Sequence, residues 1–432
     1  MRYDSYKDSD VEWIGEIPSG WVVGKLGFYS NVYRGSGYQY LNQVDDEFEE
    51  KKERVVRIGD FNDFTPIWCE YLEQFENYRI QKNDILVGGT GHYFGKSMFV
   101  TDEMEGLIHS YNIIRLVVKK QNSKFIQYYI SSNLIREQMD ISVLGSGQPF
   151  IDIQGLKGLS IIIPTTQEQQ QIVSFLDTKT SLIDSLIEKT HRKIELLKEK
   201  RTSLINEVVT KGLNPNVEMK DSGVEWIGEI PSHWETTKFK FKGEVIIGLS
   251  YKPENQVDEN DGVLVMRSSN VQNGKPSFHD NVYVNCKISD KLRTREGDIL
   301  ICSRNGSRRL IGKNCLITKE IEGMSWGVFM TMYRTPYYKF FYWLLNSPVF
   351  KSQSGLFLTS TINQLTVSTL ENMVVPYVSD KIEQQQIVEY LDKQTGLIDK
   401  TISTEEKRIE LLKEYRQSLI SEVVTGKRKV VE

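Results

Sequence analysis

The feature that most constrains the fold of this chain is an internal duplication. A block at residues 8–19, followed by Trp21, returns with nearly the same letters at residues 221–232, followed by Trp234. A second block, Glu-Gln-Gln-Gln-Ile-Val from Glu168, returns from Glu383 and stays similar for some 45 positions, of which more than half are identical. Repetition at a nearly fixed offset is the signature of a chain built from two copies of one unit.

The stretches between these blocks, residues 22–166 and 235–380, barely resemble each other. Only sparse anchors align, such as Asp-Ile-Leu from Asp84 and Asp298, and Arg-x-x-Asp or Arg-x-x-Asn from Arg57 and Arg267. A constant frame with divergent interiors predicts one scaffold that holds two different binding domains; a duplicated structural protein is the alternative. The predicted segments are an opening motif with the first variable domain, a central helical spacer, an opening motif with the second variable domain, and a C-terminal helical spacer, at residues 1–166, 167–213, 214–380 and 381–432.

Composition excludes several classes of protein. The 432 residues include 54 Lys and Arg and 58 Asp and Glu, so the formal charge of −4 gives no global sign of a nucleic-acid partner. No apolar run reaches the roughly 18–20 residues of a membrane span, and the first residues lack the apolar segment of a signal peptide. Four cysteines without a C-x-x-C pair exclude a disulfide scaffold. We therefore expect a protein of the reduced cytoplasm without a membrane partner.

The second repeated block predicts a long helix in each copy, because it is rich in Glu, Gln, Lys, Leu and Ile and contains no proline. Its apolar residues recur at alternating steps of four and three, the a and d pattern of a coiled coil. Two such seams in one chain are expected to form an antiparallel coiled coil, which relates the two copies by an approximate two-fold. The predicted helix-pairing seam comprises Ile183, Ile187, Ile194, Leu197, Leu204, Val208, Ile398, Ile402, Ile409, Leu412, Leu419 and Val423.

Arg201 and Arg416 interrupt the apolar seams at matching places. One interpretation is that their long side chains reach along the helix to solvent. The other is that they are polar devices that fix the register or orientation of the helix pair. The sequence leaves both interpretations open.

Both variable domains are predicted to be mixed α/β with many short strands. The fold class is therefore α+β, with two tandem mixed α/β domains separated and joined by the long helices. Predicted strands include residues 85–87, 113–118, 299–301 and 327–332. Each domain also contains an aromatic helical pattern, at residues 125–130 and 337–345, whose rings we assign to the core rather than to a base-stacking platform.

A Gly-rich loop follows the Asp-Ile-Leu strand in each copy. The first runs from Gly88 to Lys96, and the second, from Ser303 to Lys313, also contains Arg304 and Asn305. Glycine lets the backbone approach a ligand closely, and Arg and Asn are the side chains that bind guanine and adenine edges in the major groove. Neither loop has the spacing of a phosphate-binding P-loop, and a plain hairpin turn is the alternative for each.

Local charge differs between the two domains. Residues 22–166 contain about 15 basic and 18 acidic side chains, whereas residues 235–380 contain about 18 basic and 14 acidic side chains. The second domain is therefore better suited to phosphates. Five scattered histidines predict no zinc site, and no nucleophile–base set is visible, so no catalytic residue and no metal ligand is predicted.

These features together resemble the specificity subunits of type I restriction–modification systems. The resemblance is carried by V-E-W-I-G-E-I-P-S-x-W at residues 11–21 and 224–234, and by P-x-x-x-E-Q-Q-Q-I-V-x-x-L-D at residues 164–177, with a slightly longer version at 376–392. The endings I-E-L-L-K-E and L-I-x-E-V-V-T continue it, so that it covers essentially the whole chain.

The resemblance implies a non-catalytic subunit whose two target recognition domains each bind half of a bipartite site on double-stranded DNA. It implies that the paired helices set the gap between the halves and dock two modification subunits, which methylate adenine with S-adenosylmethionine. Two restriction subunits, motor–nucleases that use ATP and Mg, complete the complex. It implies no cofactor in this chain itself.

Contact residues are chosen from loop position and side-chain chemistry, because the variable domains of such subunits diverge. The candidate DNA-binding residues are Arg34, Ser36, Arg57, Asn62, Thr90, His92, Lys96 and Gln148 in the first domain, and Ser250, Lys252, Arg267, Asn270, Arg304, Asn305, Arg308, Lys313 and Gln364 in the second. Arg57 and Arg267 are equally compatible with structural ion pairs.

Two other classes of function remain open from the sequence. One is an enzyme whose active site lies in a variable domain, although no catalytic set is visible in either copy. The other is a coiled-coil assembly scaffold without DNA binding. The scaffold explains the helices and the acidity, but it does not explain two divergent domains on a constant frame.

Overall fold

The computed structural model describes residues 2–37, 41–47, 50–141, 149–357 and 364–430. The chain forms two compact units, residues 1–191 with 407–432 and residues 192–406. Each unit thus contains one opening motif, one variable domain and part of both long helices. Within the described residues, none of the helices combines the length and the apolar character that crossing a membrane requires.

The first unit is built from short strands and helices in front of a long helix. Its strands are Tyr6–Asp8 (β1), Glu16–Pro18 (β2), Val22–Lys25 (β3), Ser30–Arg34 (β4), Lys52–Val56 (β5), Ile67–Glu70 (β6), Ile85–Gly88 (β7), Ser97–Phe99 (β8), Ile108–His109 (β9), Ile113–Val118 (β10) and Ser160–Ile163 (β11). Its helices are Leu26–Tyr29 (α1), Ser123–Ile130 (α2), Asn133–Ile141 (α3), Ile153–Gly158 (α4) and the first part of Thr166–Lys211 (α5).

The central sheet of the first unit is antiparallel and has the strand order β4-β10-β7-β8. Successive side chains of strand β7 point to opposite faces of the sheet, and both faces are covered. Ile85 and Val87 pack into the core that includes α2 and α3, whereas Leu86 packs into a second cluster with Val56 and Ile113. A smaller sheet, β6-β5-β9, adds a parallel β5–β9 pair.

The second unit repeats this plan with additional short strands. Its strands are Met219–Asp221 (β12), Glu229–Pro231 (β13), Glu235–Lys238 (β14), Glu244–Ile247 (β15), Gln256–Val257 (β16), Val263–Met266 (β17), Val271–Gln272 (β18), Lys275–Pro276 (β19), Tyr283–Val284 (β20), Ile299–Cys302 (β21), Asn314–Leu316 (β22), Ser325–Trp326 (β23), Met330–Arg334 (β24) and Val374–Tyr377 (β25). Its helices are Tyr338–Leu345 (α6), Pro348–Phe357 (α7), Val367–Asn372 (α8) and the first part of Lys381–Val424 (α9).

The corresponding central sheet has the order β15-β24-β21-β22 and is again covered on both faces. The predicted strand 113–118 coincides with β10, and the aromatic helical patterns coincide with α2 and α6, whose rings are largely buried. The predicted strand 327–332 is wrong at its start, because β24 begins only at Met330. Residues 327–329 instead form the wall of a cleft described below.

The opening motif and the helix motif, which begins at Glu168 or Glu383, are joined by the same hydrogen bond in both units. The indole nitrogen of fully buried Trp21 donates to Glu168 Oε1 at 2.9 Å, and that of Trp234 donates to Glu383 Oε1 at 3.0 Å. Glu168 also exchanges hydrogen bonds with Thr165, a capping box at the start of α5. Each repeated glutamate therefore ties the opening motif to the first turn of a long helix.

Other letters of the helix motif hold the variable domain. The side chain of Gln169 donates to the Pro164 carbonyl oxygen at 3.0 Å, and Gln384 donates to the Val378 carbonyl oxygen. The aspartate of the helix motif accepts a hydrogen bond from an aromatic side chain on the aromatic helix of its own unit. Tyr128 donates to Asp177 at 2.6 Å in the first unit. The second unit has the same contact from Trp343 to Asp392, at 3.1 Å.

Within each unit the long helices run antiparallel to each other. In the second unit, Lys193 pairs with Glu405 at 2.5 Å and Arg201 pairs with Asp399 at 2.8 Å, so that ascending positions of α5 meet descending positions of α9. Every residue of the predicted seam is buried or half-buried. In the first unit, Ile183 shares one core cluster with Leu419 and Val423.

The two seam arginines pair across the helices. Arg416 donates through Nε and Nη2 to the two carboxylate oxygens of Asp184 at 2.9 and 3.2 Å. Arg201 makes the same forked contact with Asp399 at 2.8 and 3.2 Å. The guanidinium groups therefore do not simply extend to solvent. A forked contact requires one geometry of the two side chains, so each pair favours one register of the helices.

We expect the Arg416–Asp184 pair to couple the helices of the first unit. The side chains are 33% and 52% exposed, so solvent screening limits their coupling to about 0.5–1 kcal/mol. Arg416→Asp or Asp184→Arg alone should lower the urea midpoint by placing like charges together, and the double reversal should restore it. The same cycle on Arg201 and Asp399 is the matched control. If the decreases in urea midpoint of the two single variants simply add in the double variant, the pairing is contradicted.

Candidate nucleic-acid interface

The loops at one end of the central sheet enclose an open cleft in the second unit. The loop after β21, the segment before β24, the end of β15 and the turn after β17 meet there, and the cleft has a volume of about 950 Å³. Four of the nine candidate residues of this unit line it, which are Ser250, Arg267, Arg304 and Asn305. The remaining lining residues are Leu249, Tyr251, Ser268, Ser269, Gly306, Gly327, Val328, Phe329 and Met330.

Arg304 lies at the exposed side of this cleft and is stacked on an aromatic ring. Its guanidinium carbon lies 5.1 Å from the ring centroid of Phe329, whose side chain is 53% exposed. The backbone holds the two together, because the amide groups of Ser303 and Arg304 both donate to the Phe329 carbonyl oxygen, at 3.1 and 3.0 Å. Gln364 forms an isolated β-bridge with Arg304 from the other side.

Several other polar groups at the cleft are engaged with the protein. Arg267 pairs with Asp280 at 2.9 Å. Lys313 donates to the Ser268 carbonyl oxygen at 2.7 Å, and the Asn305 amide donates to the Ser268 hydroxyl at 3.1 Å. These contacts fix the turn after β17 against the Gly-rich loop, so the floor of the cleft is rigid and polar.

Two further candidates lie on exposed positions outside the lining. Lys252 pairs with Glu254 at 3.4 Å, with both side chains strongly exposed. Arg308 begins the exposed 3₁₀ turn Arg308–Leu310 in the Gly-rich loop. Both positions suit a phosphate contact at the edge of the cleft.

The structure does not support Asn270 as a contact residue. Its side chain is fully buried, and its amide donates to Ser277, Asp280 and Asn281 while its oxygen accepts from the backbone of Arg267. Asp60 accepts from the backbone of Arg57 at 2.6 Å in the same way in the first unit. The aligned Arg-x-x-Asp/Asn anchor is thus a capping device that shapes a turn.

The first unit places a different arginine among aromatic rings. Arg34, at the end of β4, has its guanidinium carbon 4.8 Å from the Tyr111 ring centroid and 5.0 Å from that of Phe150. It also donates to the Ile151 carbonyl oxygen at 3.3 Å. Thr90 bridges the backbone of Phe150, at the position where Arg304 bridges Gln364 in the second unit.

A second group of candidates lies on the Gly-rich loop of the first unit. Lys96 donates to the Asn62 side-chain oxygen at 3.1 Å, and Lys96 also lies 4.9 Å from the Tyr93 ring centroid. His92 is exposed and contacts the same ring edge-on. Arg57 lies 3.7 Å from Asp60, which matches the structural ion pair that the sequence left open.

Two candidates of the first unit fall away or cannot be placed. Ser36 is fully buried next to Ser110, so its hydroxyl group is not available to a ligand, contrary to the prediction. Gln148 lies outside the described residues. The sequence does not single out Tyr111, Phe150 and Phe329, which are exposed aromatic residues. Tyr111 and Phe329 lie shortly before β10 and β24, where an aromatic residue is equally compatible with a core position.

Among the described residues, no group of three or more His, Cys, Asp or Glu side chains is placed to hold a metal ion. The candidate sites are therefore surfaces of arginine, aromatic and small polar side chains on a constant frame. Such surfaces define a duplicated binding protein with two different binding sites.

Comparison with known proteins shows which family the chain is similar to. Residues 18–197 match the family model described as "Type I restriction modification DNA specificity domain". The chain is 25% identical to the type I restriction enzyme MjaVIII specificity subunit of Methanocaldococcus jannaschii, over 96% of this chain and 94% of that protein. It is 26% identical to the EcoKI specificity subunit of Escherichia coli strain K12, over 71% of this chain and 66% of that protein.

The fold has a solved counterpart. The chain is similar, with a TM-score of 0.74 and 16% identity, to a structure described as "Structural basis underlying complex assembly and conformational transition of the type I R-M system", over 95% of this chain and 99% of that one. Residues 18–197 thus match a type I restriction–modification DNA specificity domain, and the chain as a whole is similar to specificity subunits of type I restriction enzymes.

A buried histidine lies beneath the candidate surface of the first unit. His109 donates from Nδ1 to the Tyr78 carbonyl oxygen at 2.7 Å, and its backbone carbonyl accepts from Ser36. Burial lowers the pKa of the His109 imidazole to about 4, despite the opposing effect of the Tyr78 hydrogen bond. The folded state therefore holds this imidazole neutral at pH values where the unfolded chain protonates it.

We expect the stability of the first unit to depend on His109 under acidic conditions. Because the folded pKa is depressed, its contribution is fully present above the unfolded pKa of about 6.5 and is lost as the pH falls toward about 4. His109→Gln should flatten the fall in unfolding free energy over this window, by about 3 kcal/mol at most. Urea unfolding at several pH values measures this, with His92→Gln at the exposed ring as control. Equal slopes in wild type and His109→Gln would refute it.

Proposed function

We propose that this chain is the DNA sequence-specificity subunit of a type I restriction–modification complex. The domain at residues 22–166 binds one half of a bipartite site on double-stranded DNA, and the domain at residues 235–380 binds the other half. The paired long helices set the gap between the half-sites and dock the catalytic partners.

One observation carries this proposal: the two units repeat the same backbone hydrogen bonds around different side chains. Gly89 donates to the Asn112 carbonyl oxygen at 2.9 Å, as Ser303 does to that of Phe329 at 3.1 Å. Ile151 donates to Gly89 at 3.0 Å, as Leu365 does to Ser303 at 2.7 Å. The side chains at equivalent positions of the two units are unrelated: Thr90 corresponds to Arg304, and Asn112 corresponds to Phe329. This is the pattern of one scaffold that binds two different sequences.

The distribution of charge supports DNA as the ligand. The loop at residues 303–313 contains four cationic side chains and no carboxylate. Phosphate contacts supply most of the sequence-independent affinity for DNA, so a loop of this composition next to a polar cleft suits both backbone and base contacts. The first unit has a weaker basic loop, which is consistent with a larger contribution from partner subunits there.

The proposal assigns chemistry to partners and not to this chain. Two modification subunits, bound to the helices, methylate adenine at N6 with S-adenosylmethionine. Two restriction subunits supply ATP- and Mg-dependent movement and cleavage. The chain itself acts in the cytoplasm without a cofactor, as the binding and positioning subunit.

The methylome of a methylation-free host tests this function. One strain carries the chain with the modification subunit encoded beside it, a second carries the modification subunit alone, and a third carries a chain with its second variable domain exchanged for that of a relative. We expect a bipartite adenine motif in the first strain alone, and a motif with one altered half in the third.

A stable complex of the two subunits without any methylated motif, and without affinity for duplex DNA, contradicts the proposal and favours the assembly scaffold. Methyl transfer by the purified chain alone contradicts its non-catalytic role. Exchange of one variable domain that changes both halves of the motif contradicts the division of the site between the two domains.

Lengthening both helices should lengthen the gap between the half-sites. Because the seams pair, one heptad is inserted near Lys193 in α5 and one near Glu405 in α9. Seven helical residues add about 10 Å at about 1.5 Å per residue, which corresponds to about three base pairs. Methylome sequencing should show both half-sites unchanged and farther apart. Insertion into α5 alone is the control that should break the pairing, and a changed half-site with the old gap would refute the idea.

A further inference from the structure

The second unit contains an arginine that is held in place but leaves its donors uncommitted. Arg304 stacks on Phe329, and the backbone amides of Ser303 and Arg304 fix the loop to the carbonyl of that same phenylalanine. The guanidinium thereby lies over an exposed ring, on a loop whose backbone is fixed. A planar fork ordered before binding loses less entropy when it meets a planar ligand.

No carboxylate among the described residues lies within ion-pair distance of Arg304, and the loop that carries it contains none. The neighbouring cations differ in this respect. Arg267 is paired with Asp280, and Lys313 is bound to a backbone carbonyl. Of the two arginines that line the cleft, Arg304 is the one without a carboxylate partner among the described residues, so it is placed to donate to a ligand.

The first unit lacks this arrangement at the equivalent positions. The bridge between Thr90 and Phe150 corresponds to the bridge between Arg304 and Gln364, so Thr90 occupies the place of Arg304. The carbonyl that holds the loop belongs to Asn112 instead of Phe329. A threonine hydroxyl cannot make a forked contact, so the two units differ in chemistry at one defined point of the same frame.

We propose that Arg304 determines the specificity of the second unit for a guanine, donating two hydrogen bonds to O6 and N7 from its seat on Phe329. This rests on the proposed function. A forked arginine contact to guanine is the commonest specific contact in the major groove, and the polar cleft beside it accommodates the neighbouring base edge. In the first unit, Thr90 stands at the equivalent position and makes no such contact to a guanine of its half-site.

The same guanidinium fits a phosphate group, and the effect on the methylated motif separates the two ligands. In the methylome of a host that carries the modification subunit, we expect Arg304→Ala to make one G·C position of a single half-site degenerate. Arg304→Lys should do so to a smaller extent, because lysine keeps donors for guanine O6 and N7 but loses the fixed fork. Discrimination at that position should fall about ten- to hundredfold. Phe329→Leu should weaken the same discrimination to a smaller extent.

The matched control is Arg309→Ala, which removes an exposed arginine from the same loop but outside the cleft. It should lower DNA affinity evenly across sequences without changing the motif. The unaltered half-site bound by the first unit serves as an internal check that each variant is folded.

A motif that stays fully specific in Arg304→Ala, with only weaker and more salt-sensitive binding, overturns the guanine assignment and leaves a phosphate contact. These outcomes differ from failure of the proposed function, in which the wild-type chain itself produces no bipartite motif. Degeneracy in both half-sites at once also overturns the assignment.

Discussion

The hydrogen bond from a buried tryptophan to a helix-start glutamate is the interaction on which each unit depends. Trp21 is fully buried, so an unpaired indole N–H there costs about 1–3 kcal/mol, and Glu168 supplies its acceptor from a residue 147 positions away. Glu168 is itself fixed by the capping box at the start of α5. Because loss of Glu168 leaves the buried indole N–H of Trp21 without its acceptor, the two constant blocks must be kept together. Between the blocks, positions that contact the frame, such as Tyr128 against Asp177, are constrained by it, whereas the remaining residues are free to diverge. This constraint explains a chain of constant frames around unrelated interiors.

The frame of long helices can be predicted from the sequence, whereas much of the candidate site cannot. Apolar residues that recur at alternating steps of four and three predict a coiled coil. In the structure these residues are buried or half-buried along both helices. Arg201 was ambiguous because the sequence does not say which residue faces it; the facing partner, Asp399, lies 198 positions away. The prediction that Asn270 binds DNA is wrong for a related reason. A polar residue that recurs in both copies is equally compatible with a ligand contact and with a buried cap, and only burial decides between them.

The aromatic residues were missed because their role depends on which side of a strand end they lie. Phe329 follows two apolar or small residues and precedes β24, so it continues an apolar run, and the run predicts a strand that begins three residues too early. In the structure the ring is exposed and supports Arg304. The first unit reaches a similar combination by another route, since Arg34 comes from the end of β4 and is enclosed by two rings. One frame can therefore carry arginine–aromatic pairs at different points of its surface.

The acidity of the chain is compatible with DNA binding because of where the carboxylates are used. Asp84 pairs with Arg115 at 2.5 Å, and Asp298 pairs with Arg334 at 2.6 Å, with all four groups largely buried. Carboxylates that neutralise internal arginines add nothing to the field at the surface, whereas the loop at residues 303–313 keeps its cations without an acidic neighbour in sequence. Interactions between exposed charges are screened beyond about 8–10 Å in salt, so a phosphate group at the cleft experiences this loop and not the net charge of the chain. Total charge is thus a poor guide to the ligand of a protein whose binding surface is small and local.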